Sequence, residues 1–130
     1  MREASLELLA PRADVWAFLA EPFHLSDWWP GITGVEPDRR GFAPGARWKV
    51  HASKRNIFTG TRHVETMLLV RDVEPYERWS WHLLEPAVDA EVRLRSVAED
   101  RTEVTVAVSR GNPAVAVKRL FDLVQTAATM

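Results

Sequence analysis

The sequence predicts an α+β fold: one curved antiparallel sheet of about seven strands, a long C-terminal helix covering its apolar face, and two short helices between the first and second strands. Three observations carry this. Apolar and polar residues alternate through the middle of the chain, and apolar residues recur at helical spacing near both ends. Eight prolines in 130 residues cut the chain into pieces of element size, because proline is poorly tolerated inside helices and central strands.

Arg2 to Leu9 reads as the first strand. Beyond Pro11, Val15, Phe18 and Leu19 recur at i, i+3 and i+4, which makes an amphipathic helix to Ala20 with proline in its first turn. A second short helix opens at Pro22 and docks through Phe23 and Leu25. It stops by Trp28, since Trp29 precedes Pro30 and is pushed toward extended geometry. The strands follow. Ala46, Trp48 and Val50 alternate with Arg47, Lys49 and His51. Trp79, Trp81 and Leu83 alternate with Arg78, Ser80 and His82. Ala90, Val92 and Leu94 alternate with Asp89, Glu91, Arg93 and Arg95, and Val104, Val106 and Val108 with polar or small neighbours. Each strand has one buried face and one wet face, as in an antiparallel sheet. From Ile57 to Val73 the pattern is less decided, with Val64, Leu68 and Val70 competing against Met67 and Leu69 for the inner face; the first set is favoured. Glu74 to Glu77, Glu85-Pro86-Ala87 and Glu99 to Arg101 are short turns, so consecutive strands should be hairpin neighbours. Asn112 then caps a helix with Pro113 in its first position. Its apolar stripe is Val117, Leu120, Phe121 and Val124, opposite Lys118, Arg119 and Asp122.

The whole chain, residues 1–130, reads as one domain. Its 17 basic and 18 acidic side chains nearly cancel, and no basic stripe marks a nucleic-acid binder. Without cysteine there is no disulfide framework and no thiolate metal site or nucleophile. Charges at Glu3 and Glu7 interrupt any leader-like apolar region, and no stretch is long enough for a membrane span. The expected compartment is the cytoplasm.

Five stretches carry a resemblance to a known superfamily: 10–22 (APRADVWAFLAEP), 29–36 (WPGITGVE), 45–50 (GARWKV), 70–81 (VRDVEPYERWSW) and 101–108 (RTEVTVAV). In this order they resemble the START-like or SRPBCC superfamily, which includes polyketide cyclases and dehydratases and lipid-transfer domains. The resemblance implies a helix-grip fold, whose bent sheet wraps the last helix and leaves between them a cavity that hosts apolar ligands. The last helix has room for about 27 Å at 1.5 Å per residue. That is short for the family, and it leaves one end of the cavity open or closed by a partner. In the family the stretch at Trp28 and Trp29 sits near one cavity end. Adjacent residues at a helix end point different ways, so Trp29, at the family position before proline, is expected to anchor the helix and Trp28 to lie at the rim as a lid.

No His-Glu-x-x-His, Gly-x-Ser-x-Gly, phosphate loop or dinucleotide fingerprint is present. The histidines at 24, 51, 63 and 82 are scattered, with His51 and His82 on the wet face, so no metal and no cofactor are expected. The expected ligand-binding residues are the inward aromatics Trp48, Trp79 and Trp81, the lid Trp28, the strand residues Val92, Leu94 and Val106, and the helix residues Val117, Leu120, Phe121 and Val124. Arg62 and Thr66 join them from the long strand, with Arg62 placed to hold a carboxylate or an enolate, or else reaching out to water. The tryptophans either line a pocket or fill the space. Three functions follow: a carrier or sensor of a small hydrophobic molecule; a cyclase- or dehydratase-like enzyme using Arg62 with a rim acid such as Asp27 or Tyr76, or Ser96; or an interaction module that forms a homodimer or partner contact through Met67 and Leu69.

Overall fold

A computed structural model describes residues 1–56, 58, 60–85 and 87–129. Ile57 and Pro86, which the sequence assigns to the long strand and to a turn, lie outside the described residues. In chain order the elements are β1 (Arg2–Leu8), α1 (Arg12–Leu19), a 3-10 turn (Pro22–His24) leading into α2 (Leu25–Trp28), β2 (Ile32–Glu36), β3 (Arg47–Asn56), β4 (Gly60–Glu74), β5 (Arg78–Leu83), β6 (Val88–Ala98), β7 (Arg101–Val108) and α3 (Pro113–Thr129). All seven strands form one sheet in the order β1-β7-β6-β5-β4-β3-β2. The strands β2 to β7 are successive antiparallel neighbours, as short turns require, and β1 joins β7. The sheet curves around α3, which packs on β1, β7 and α2, and the architecture is the helix-grip fold.

The curvature has local causes. Register slips fall between Ile32 and Gly34, between Val70 and Asp72, and between Ser96 and Ala98; each puts one extra residue on one strand and bends it. Pairing also settles the inner face of β4. Leu68 lies opposite Trp48 and Thr66 opposite Val50, and directly paired residues share a face. Leu68 and Val70 are therefore buried, while Met67 and Leu69 sit on the outer face, each half-buried.

Two polar contacts fix the ends of elements. The Ala114 N–H donates to Asn112 Oδ1 at 3.0 Å, which caps α3 as its sequence predicts. The Thr102 hydroxyl, fully buried, donates to the Ala10 carbonyl at 2.8 Å, tying β7 to the chain between β1 and α1. That carbonyl is thereby satisfied in a place water does not reach.

Candidate ligand cavity

The sheet and α3 enclose the same kind of apolar surface at both ends but fill it differently. At one end the loop between β2 and β3 folds in as an aromatic plug. Phe42 lies 4.6 Å from Trp79 and 5.7 Å from Trp16, between ring centroids. The loop is held by Asp38, whose carboxylate accepts the Arg40 and Arg47 N–H groups at 2.9 Å each. Those bonds, that from Arg47 first, hold the Asp38 carboxyl below its ordinary value of 3.8. The Trp48 indole N–H donates to the Gly41 carbonyl. Trp16 completes this end against Tyr76, which sits in a turn at φ 68°, a conformation rare for a bulky residue.

From the plug a line of rings runs along the inner face. Trp48 contacts Trp79, Trp79 lies 4.3 Å from Trp81, and Trp81 meets both Trp28 and Trp29 edge-on. Offset and edge contacts of this kind are the favoured geometry for aromatic pairs. Trp28, Trp48, Trp79 and Trp81 are at most 1% exposed. These four rings fill the concave face, and none of them borders the cavity at its far end.

Beyond Trp29 the filling stops. A cavity of about 670 Å³ lies between the far ends of the strands and the start of α3, within the range of roughly 300–1,000 Å³ usual for small-molecule sites. Its apolar wall is Trp29 and Ile32 from the α2–β2 turn, Ala52 and Val64 from β3 and β4, Leu83, Val88 and Val108 from β5 to β7, and Val115 and Ala116 from α3. The polar residues that border it are Ser53, Arg62, His63, Glu65, Glu85, Arg110 and Asn112.

The expectation for the adjacent tryptophans is reversed. Trp28 is wholly buried because it shares a helix face with Leu25, three residues earlier, and that face meets the core. Trp29 leaves the helix in extended backbone, φ −88° and ψ 122°. Pro30 and Gly31, the latter at φ 83°, then turn the chain with the Ile32 N–H on the Trp29 carbonyl at 3.4 Å, the type II arrangement with proline second and glycine third. The turn delivers Trp29, half-buried, to the cavity wall.

Of the other expected residues, Arg62 borders the cavity and is exposed, at its mouth. Thr66 lies one inward step deeper, outside the cavity wall, and its hydroxyl accepts the Glu85 N–H at 3.0 Å. Val92, Leu94, Val106, Leu120 and Val124 are packed in the core away from the opening. Val117 borders a separate shallow groove between β1 and α3, and Phe121 is half-buried with the Lys118 ammonium 5.7 Å from its ring. Their distance from the cavity has one cause: the inward face of a strand is longer than the cavity, and only its far end is free of aromatic fill. Tyr76 belongs to the plug, and Asp27 and Ser96 are exposed away from the cavity.

The histidines are less scattered than their positions in sequence imply. His51 and His63 stack across β3 and β4 with centroids 5.7 Å apart. On the outer face His51 Nε2 meets Glu36 Oε2 at 2.7 Å, and its Nδ1 lies 3.9 Å from Glu65 Oε1. Glu36, His51 and Glu65 are the set among the described residues whose ligand atoms are close enough, within 4.8 Å of one another, to hold a metal ion. The His51 hydrogen bond, with help from Lys49, keeps the Glu36 carboxyl below its ordinary value. A histidine nitrogen hydrogen-bonded to a carboxylate has its partner without a metal. No helix among the described residues is long and apolar enough to cross a membrane.

The likeness to solved structures covers the full architecture. An AHSA1-like protein from Aeromonas hydrophila matches with a TM-score of 0.66 at 17% identity, over 99% of this chain and 96% of that one. A protein from Deinococcus radiodurans matches with a TM-score of 0.72 at 19% identity, over 96% and 95%. The di-domain ARO/CYC protein StfQ of the steffimycin biosynthetic pathway matches with a TM-score of 0.69 at 20% identity, over 98% of this chain but 44% of that one. At such identities the agreement is one of fold. It bears out the helix-grip architecture that the START-like, SRPBCC resemblance implies. No curated protein sequence matches. The model of the family described as Activator of Hsp90 ATPase homolog 1-like protein matches residues 9–122, a span that takes in every residue bordering the cavity, and the chain belongs to that family.

Proposed function

We propose that the protein binds one small hydrophobic molecule in the cavity beside Trp29, as a carrier or sensor. The observation that carries this is the unfilled, apolar-walled space of about 670 Å³ at one end of an otherwise tightly filled core. Small cores do not leave such space open without cost, since unfilled volume forfeits packing contacts. The fold supports the reading, because the superfamily it resembles hosts apolar ligands between sheet and helix. Trp29, Ile32, Val64, Val88 and Ala116 are the proposed contacts.

Native mass spectrometry of the purified protein, with titration by an apolar fluorescent dye, tests this. The expected result is one small molecule or one dye per chain, with dye binding weakened by Trp29→Ala. A protein that carries nothing and leaves the dye unbound at saturating concentration would overturn the reading.

A further inference from the structure

The cavity's charge is arranged unevenly around its mouth. Arg62 stands on β4 in the same inward row as Val64, Leu68 and Val70, so its side chain starts on the cavity side of the sheet. Arg110 comes from a different wall, the link between β7 and α3. Among the described residues neither guanidinium has a hydrogen-bond or ion-pair partner, whereas Arg78, Arg93, Arg95 and Arg101 are all paired with carboxylates on the outer face. Of the acids that border the cavity, Glu65 has the opposite strand parity to Arg62, and its carboxylate lies beside His51 on the outer side. His63 shares that parity and stacks on the same ring. Glu85 is thus left as the one carboxylate, among the described residues, to set against the two arginines. The first turn of α3 opens on the same mouth through Asn112, Val115 and Ala116, and a helix start adds further positive potential.

We infer that the ligand is an amphipathic anion whose apolar body lies against Trp29 and Val88 and whose carboxylate is held at the mouth by Arg62 and Arg110. The inference rests on the cavity being the ligand site and adds the ligand's chemical class. Two guanidiniums set against the one carboxylate of Glu85 leave a single net positive charge at the rim of an apolar space, which matches a head group of one negative charge, and arginine's planar paired donors fit a carboxylate. An uncharged ligand would leave both guanidiniums to water and make no use of them.

Calorimetric titration with decanoate, decanol and decyl phosphate separates the possibilities. The expected order is decanoate tighter than decanol by about tenfold, the equivalent of one charge-assisted contact, and tighter than decyl phosphate. In Arg62→Gln/Arg110→Gln, decanoate should weaken to the level of decanol while decanol binding stays as it was. Arg95→Gln, on the outer face and paired with Glu103, should leave all three unchanged. Both cavity arginines are exposed, so the double variant should keep its unfolding midpoint. Equal binding of decanoate and decanol, or a loss in the double variant that is the same for both, overturns the anionic head group and leaves the cavity as a site for uncharged ligands. Preference for decyl phosphate overturns the carboxylate assignment. Failure of all three to bind removes the ligand site itself, and the inference falls with it.

Discussion

Trp28 and Trp29 are neighbours in sequence with opposite physical tasks, and the difference is one of backbone geometry. Trp28 ends a helical turn begun by Leu25 and contacts Trp81 within the core, whereas Trp29 enters a proline turn and contacts Trp81 from the cavity side. Replacing Trp28 with alanine removes a fully buried ring, and losses of that kind run to about 3–5 kcal/mol. Trp29→Ala removes a half-buried ring and should cost roughly 1–2 kcal/mol, in proportion to the apolar area it covers. The ligand should respond in the reverse sense: Trp29→Ala weakens dye binding, while Trp28→Ala, if its midpoint is restored by lower temperature, largely keeps it. Urea unfolding and dye titration on the same two variants check this, and equal stability losses would mean that the two rings are equivalent core residues. The signal was legible in the sequence, as the spacing of Leu25 and Trp28. The position of Trp29 before proline, by contrast, specifies backbone direction and says nothing of burial.

At the scale of elements, the strands were readable because each has one dry face, and period two survives in β3, β5, β6 and β7. The long β4 was harder: its outer Met67 and Leu69 are as apolar as its inner row, and only pairing with Trp48 and Val50 decides the face. The loop from Pro37 to Ala46 carried no period and its role as plug was not legible, because Phe42 reaches the tryptophans only once Asp38 has folded the chain back. This gives the loop a pH dependence with a definite sign. The Asp38 carboxyl is held below 3.8 by the Arg47 and Arg40 N–H groups. Its contribution is therefore fully present above that value and is lost as pH falls through the lower folded-state value. The Trp48 indole N–H, bonded to Gly41 in the same loop, is the reporter. In nuclear magnetic resonance its signal should stay fixed from neutral pH down to about the ordinary carboxylate range and shift below it. In Asp38→Asn it should already be shifted at neutral pH and show no such step. An unchanged step in that variant would assign it to another carboxylate and detach Asp38 from the plug.

For the whole molecule, the decisive feature is that one concave sheet face is filled at the plug end and open at the Trp29 end. A sequence pattern names the inward residues but does not say how far apart the two walls stand. That distance follows from three bulges and from where α3 docks, both set by contacts between residues far apart in the chain. Hence the alternation puts Trp48, Trp79 and Trp81 inward although they do not border the cavity, while Ala52, Val88 and Ala116 border it and carry no mark in the sequence. The division can be tested without any ligand by enlarging one alanine at each end. Ala116 is 1% exposed and borders the cavity from α3; Ala46 is fully buried beside the plug, with its carbonyl accepting the Val70 N–H at 2.9 Å. Forcing extra methylenes into packed space costs about 1–3 kcal/mol, so Ala46→Leu should lose that much in urea unfolding. Ala116→Leu should change stability by less than about 1 kcal/mol, because the new side chain enters open volume and leucine is nearly as good a helix former as alanine. It should also weaken dye binding by occupying the volume the dye needs. Comparable losses at both positions would show that the interior beside Ala116 is as tightly closed as the plug, and the carrier reading would then lose the space it depends on.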